Sequence, residues 1–351
     1  MIRDEHIDAA VAQGVLTAEQ AERLREISRA SPADAPPVEA AADPDDEKFR
    51  LIGGFNDVFV TIGVLLLVAS LFGLANVLEF RPGFAVLAMV SAWALSEFFS
   101  RRMRLALPSI TLALMFAGGA AYLGFTLAGS IFAHSETSAE WVPGLWTLFA
   151  GLAVAVAAFV HERRFRVPID MAILACGIVC ALAGLFGALA PDWTRANWSL
   201  LTGLFGLAVF AAALRFDASD PRRETRRADI AFWLHLVAAP MIVHAVIPAI
   251  TGHVGEMQTL QAVAILVLFA LLGLVAVIID RRALLVSGLT YAGIAIGYLL
   301  SQSVEQGMGL SLTLLLLAGL VLGLSAGWRS LRRAILPLLP LDAVRHAIPP
   351  A

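Results

Sequence analysis

RRMRLALPSITLALMFAGGAAYLGFTLAGSIF at 101–132 and WVPGLWTLFAGLAVAVAAFVHERRFRVP at 141–168 decide the fold. Each holds an apolar run long enough to cross a hydrocarbon core of about 30 Å, which takes about 20 helical residues. The first stretch begins on arginines and the second ends on them. The chain therefore leaves a basic surface, crosses to the far side and returns. Short, positively charged connections stay in the cytoplasm. The pair reads as a membrane hairpin with both ends inside.

The beat continues outward from this hairpin. Arg215, Arg222, Arg223, Arg226 and Arg227 close one later pair of runs, Arg281 and Arg282 the next, and Arg329, Arg332 and Arg333 the last. The intervening connections carry Arg81 and Arg195, and all the other Lys and Arg, of 25 in the chain, fall on the inner side. Ten runs qualify as spans, near 56–78, 82–100, 106–132, 142–160, 168–190, 198–214, 229–250, 259–279, 283–300 and 309–328. An even number places both termini in the cytoplasm. Outer connections hold His134, Glu136, Glu140, Asp192, His253, Glu256 and Glu305, with Trp141, Trp193 and Trp198 where an interfacial aromatic belt belongs.

Composition agrees. Of 351 residues 59% are hydrophobic and 15% charged, too little polar surface for a soluble domain of this size. The formal charge of -3 hides the segregation and gives no reason to expect nucleic acid as a partner. Cys176 and Cys180 share one apolar run, which fits neither a disulfide framework nor a zinc site.

Before the spans lies a polar segment. Residues 4–13 and 17–30 read as two short helices, a cytoplasmic hairpin over 1–30. Thr17 and Gln20 have the spacing of a capping box. A Pro-, Ala- and Asp-rich linker occupies 31–50, the membrane domain 51–333 and a cytoplasmic tail 334–351. The helical pair is small enough to need a partner, so residues 1–30 are a candidate docking element for a cytoplasmic protein.

Few residues within the spans can carry chemistry. His235 and His244 lie in the seventh span, each about 9 Å from an end at about 1.5 Å per residue. Ionisable groups at depth point to function. Nine residues at about 100° each put the two on opposite faces, so they cannot share a metal. Pro240 lies between them and should kink the helix or free a carbonyl. Asn56 and Asp57 stand at the inner mouth of the first span, and Asp170 and Asp229 occupy similar starts on the fifth and seventh. Three such carboxylates could line one vestibule; each also serves as an ordinary acidic helix start. Glu97 is placed to pair with Arg101. Gly293 and Gly297 on the ninth span, and Gly319, Gly323 and Gly327 on the tenth, form stripes that let helices approach closely. RRMRLALP at 101–108 and RRFRVP at 163–168 resemble one another, as duplicated hairpins or similarly constrained inner turns would. No HExxH, GxSxG or intramembrane aspartate pair appears, so the chain is read as non-enzymatic and without a cofactor or metal.

GVLTAEQAERL, the acidic Pro/Ala linker, FRLIGGFNDVFV leading into the first span, the arginine-punctuated hairpins and the ending LPLDAVRHAIPPA together resemble uncharacterised bacterial multi-spanning membrane proteins with a short helical N-terminal domain. The resemblance implies a bacterial inner-membrane location and no assigned activity, so no site residue is carried over.

The expected architecture is all-α, a bundle of about ten transmembrane helices in a lipid bilayer, its oligomeric state open. Two functions compete. One is a small-molecule or ion transporter, favoured by the glycines, the Pro-interrupted helix and the few intramembrane polar groups. The other is a membrane scaffold or sensor acting through its N-terminal helices.

Overall fold

The computed structural model describes residues 7, 11–13, 16–29, 54–78, 81–132, 139–252, 258–302 and 308–339. The chain divides into two units, Met1–Asp46 and Glu47–Ala351.

In the first unit, α1 (Ala18–Arg29) starts at the expected capping box. Thr17 N–H donates to Gln20 Oε1 at 3.0 Å and Gln20 N–H to Thr17 Oγ1 at 3.2 Å. These reciprocal bonds satisfy two amides that an open helix end leaves unpaired. Ile7, Val11 and Ala12 are also helical. The pairing of two helices into a hairpin is not established by the described residues.

The second unit is a bundle of long apolar helices, with no strand among the described residues. These are α2 (Phe55–Val77), α3 (Arg81–Ser96), α4 (Ala106–Ile131), α5 (Val142–Phe165), α6 (Ile169–Leu189), a short α7 (Pro191–Ala196), α8 (Trp198–Ala218), α9 (Arg226–Thr251), α10 (Thr259–Ile279), α11 (Ala283–Ser301) and α12 (Met308–Ile335). Ten of them are long and apolar enough to cross a membrane. Exposed leucine, valine and phenylalanine cover their outward faces, as a bilayer solvent requires.

Several boundaries differ from expectation, the fourth span running to Phe165 and the sixth to Ala218, past the expected 160 and 214. The second span ends in a π-helical turn, Glu97–Arg102. The tenth runs to Ile335 and a 3-10 turn at Leu336–Leu338, well past 328. Arg332 is consequently buried at 2% exposure, where an inner surface charge was expected.

The closest packing joins α5 to α6 and α8 to α9. The first pair is held by glycines seven residues apart. A Cβ on Gly144 or Gly184 would enter the facing backbone, at Gly187–Ala188 and Leu148 respectively, and one on Gly177 would sit 2.6 Å from Ala155 N. Gly151 meets Ala181 in the same way. Only glycine permits that approach.

The glycine stripe of the tenth span behaves differently. A Cβ on Gly319, Gly323 or Gly327 meets nothing within 4 Å. These residues face away from the bundle, which corrects the expectation that they pack on the ninth span. Its partners Gly293 and Gly297 do face α12, but against Leu317 and Thr313.

The four hairpin turns at the arginine-bearing end share a feature that the sequence hides. Each holds one non-glycine residue in the left-handed region: Arg104, Arg166, Arg223 and Asp280, with φ between 54° and 57°. That conformation costs roughly 1–2 kcal/mol in an L-residue.

Candidate functional site

Three groups of polar side chains stand out at this basic end among the described residues.

The first ties α8, α9 and the turn before α11. Asp217 lies in the last turn of α8 and His235 lies within α9, fully buried. His235 Nε2–H donates to Asp217 Oδ2 at 2.8 Å. Arg281 Nε donates to the same carboxylate at 3.2 Å, and one terminal nitrogen bonds both Asp217 Oδ1 and, at 3.0 Å, the Ala228 carbonyl. A buried carboxylate thus meets one guanidinium and one imidazole. Next to it, Asp280 accepts Trp328 Nε1–H at 2.6 Å and pairs with Arg223 at 3.0 Å. Arg223 also donates to the Asp280 carbonyl at 2.6 Å, and Arg332 approaches the Asp280 carboxylate at 4.0 Å. Three helices and two turns therefore meet in one ionic knot. Such groups are costly in an apolar medium unless paired, and here they are paired.

The second group lies in the other half. Ser96 donates to His161 Nε2 at 3.3 Å, and His161 Nδ1–H donates to Asp170 Oδ2 at 2.8 Å. The order is that of a nucleophile, a base and an orienting acid. The surroundings deny it that use. Ser96, His161 and Asp170 are exposed by at most 1%, and the rings of Trp93, Phe116 and Phe165 pack around the imidazole. No substrate carbonyl can reach the Ser96 hydroxyl. The trio binds α3, α5 and α6 together.

The third group is open. A cavity of about 680 Å³ lies where the second-to-third and fourth-to-fifth turns meet the start of α9. Arg101, Arg104, Arg163, Arg164 and Arg166 line it. Asp229 is its one acidic lining residue. Ser109, Ile110 and Trp233 carry it past the helix ends toward the membrane interior. The two look-alike sequences RRMR and RRFR thus converge on one space, and the last arginine of each is left-handed. Glu97 braces the wall, accepting Arg101 at 3.2 Å and Arg164 Nε at 2.6 Å.

The expected site residues separate between these groups. His235 points into the bundle and has a polar neighbour, as a functional histidine would, yet it does not line the arginine cavity. His244 is exposed and donates to its own helix at the Pro240 carbonyl, 2.8 Å away. Its ring sits edge-on to Tyr291. Pro240 leaves α9 unbroken from Arg226 to Thr251, because one missing amide bond is tolerated in a continuous helix. The three inner carboxylates do not share one vestibule. Asp170 is closed against His161, Asp229 lines the arginine cavity, and Asp57 is buried in the first turn of α2 outside that cavity. Asn56 is exposed. His253 and Glu256 lie outside the described residues.

Asp217, Arg281, His161 and Ser96 were not singled out from sequence. Asp217 and His161 lie just past the expected span ends at 214 and 160, beside arginines, but inside the longer helices α8 and α5. Depth within the last helical turn was the available signal.

No family model, curated protein or solved structure matches the chain.

Proposed function

We propose that the chain is a bacterial inner-membrane transporter for a small anionic solute, with both termini cytoplasmic and the arginine-lined cavity as its inner vestibule. The observation that carries this reading is the cavity itself: five arginines around about 680 Å³ of space, against the single carboxylate of Asp229. A volume of this order suits a small organic molecule. Positive charge around a concave, low-dielectric wall concentrates anions at its mouth. The glycine-packed α5–α6 pair, whose backbones touch, would serve as a rigid wall. The buried pairs His235–Asp217 and His161–Asp170 give each half a fixed core at the same end.

Flux tests the reading. Purified protein in liposomes should carry organic anions down an imposed gradient faster than empty liposomes. The Arg104→Gln, Arg166→Gln double variant should lose at least about tenfold of that rate, the factor matching about 1.4 kcal/mol. Flux no faster than through empty liposomes would remove transport, and undiminished flux in the double variant would remove the arginine cavity from it.

One observation favours a scaffold or sensor instead: α1 forms part of a separate unit and shows exposed charges, with Glu19 and Arg23 paired at 3.5 Å on its surface. Deletion of residues 1–46 separates the two readings. A transporter keeps its flux, whereas a scaffold loses its cytoplasmic partner in a pull-down.

A further inference from the structure

We propose that the arginine cavity binds the phosphate group of its ligand, held by Arg104, Arg166 and Ser100. This deepens the reading of the cavity as a solute vestibule and rests on it.

The arginines are not equivalent. Arg101 and Arg164 are both committed to Glu97. The Arg163 guanidinium lies over the Phe159 ring, 4.6 Å from its centre. The Arg104 and Arg166 side chains make no hydrogen bond or ion pair among the described residues, and both residues are exposed. Their left-handed backbone, φ 56° at each, is an unfavourable conformation for a non-glycine residue. Two uncommitted guanidinium groups, each on a left-handed backbone, therefore border one space.

A second observation points to a ligand. Ser100 also lines the cavity, and its hydroxyl is buried without a hydrogen-bond partner among the described residues. It sits in the π-helical turn Glu97–Arg102. Such turns interrupt regular helix bonding and recur at functional sites. An unsatisfied buried hydroxyl is costly, and turning the Ser100 side chain toward an acceptor in the cavity would relieve it.

Donor number selects the anion. One guanidinium already satisfies the two oxygens of a carboxylate. Two guanidinium forks and a hydroxyl offer more donors than that, and match a phosphate, whose several oxygens accept in different directions. The cavity is far larger than inorganic phosphate. Trp233 and Phe165 give it apolar walls beside the charge. The ligand is accordingly a phosphate monoester or a phospholipid headgroup, with an organic part against the rings.

The test uses the full-length protein and needs no flux. In detergent, inorganic phosphate and phenyl phosphate are added at constant ionic strength and thermal unfolding is followed, with chloride as the control anion. In parallel, the protein is placed in nanodiscs of pure phosphatidylcholine or with phosphatidic acid added. Protection by phenyl phosphate beyond that by inorganic phosphate identifies a soluble ester. Protection by phosphatidic acid alone identifies a headgroup. Either should weaken at least about tenfold in apparent affinity in Arg104→Gln, Arg166→Gln. Those side chains have no partner to lose, so the unliganded variant should unfold at the wild-type temperature. Ser100→Ala gives a second, smaller loss. No protection from any phosphate source, or equal protection in the double variant, overturns the proposal. Phosphate binding without anion flux would keep this site and remove the transport reading.

Discussion

Asp217 and His235, 18 residues apart in sequence, meet at 2.8 Å across the α8–α9 hairpin with no exposed surface on the imidazole. Arg281 takes the other side of the carboxylate. Asp217 is therefore the shared acceptor of two buried donors. Asp217→Ala should cost about 3–5 kcal/mol, because it leaves a guanidinium buried without its counter-charge. His235→Ala leaves the Asp217–Arg281 pair in place and should cost about 1–3 kcal/mol. Denaturant unfolding in detergent gives the order. A His235 variant less stable than the Asp217 variant would contradict this account of the knot.

Glycine substitutions should divide by face. Gly151→Leu and Gly184→Leu should prevent stable folding, since each side chain would enter the backbone of the facing helix. Gly323→Leu should leave thermal stability within about 0.5 kcal/mol of wild type, the usual range for a surface change away from structural features. A large loss at Gly323 would mean that another surface covers α12.

The contrast between those glycines shows how far the sequence could be read. Hydropathy and arginine placement gave the ten spans, because the bilayer imposes length and charge sidedness on each segment separately. Pairing of faces is not a local property. The regular four-residue stripe at Gly319, Gly323 and Gly327 looked like an interface and faces outward, while the seven-residue spacing of Gly144 and Gly151 marks a real one. His235 was found because it lies deep in a long apolar run. Its partner Asp217 was not, because it sits among charged residues at a helix end. The cavity was half legible: RRMR and RRFR were seen to be alike, but their convergence depends on tertiary packing.

The turn before α9 should respond to acid. Asp220 accepts backbone amides from Glu224 at 3.2 Å and Thr225 at 2.9 Å, and the Thr225 hydroxyl at 2.6 Å. Burial opposes its charge, but these bonds prevail and hold its carboxyl below the ordinary range. A lowered folded pKa gives stability that is present above the unfolded value and is lost as pH falls through the folded one. The stability gap between wild type and Asp220→Asn should therefore be full near neutrality and close below about pH 4, the ordinary aspartate value. A gap unchanged between pH 6 and pH 3 would show that the charge is not what holds the turn.

Reporter fusions check sidedness. Fusions after Arg104, Arg166, Arg227 and Arg282 should report cytoplasm, and fusions near Glu136, Asp192, Glu256 and Glu305 should report the opposite side. Two adjacent connections on one side would break the ten-span topology.

Thiol labelling at Ile110 tests the vestibule most directly. Ile110 lies in the second turn of α4 and lines the arginine cavity. Ile110→Cys, in a protein with Cys176 and Cys180 replaced by Ala, is exposed to a membrane-impermeant maleimide. The account predicts rapid labelling in inside-out vesicles, little in intact spheroplasts, and slowing by phenyl phosphate. Labelling from the outer side alone, or none from either side, would contradict a water-filled cavity that opens to the cytoplasm.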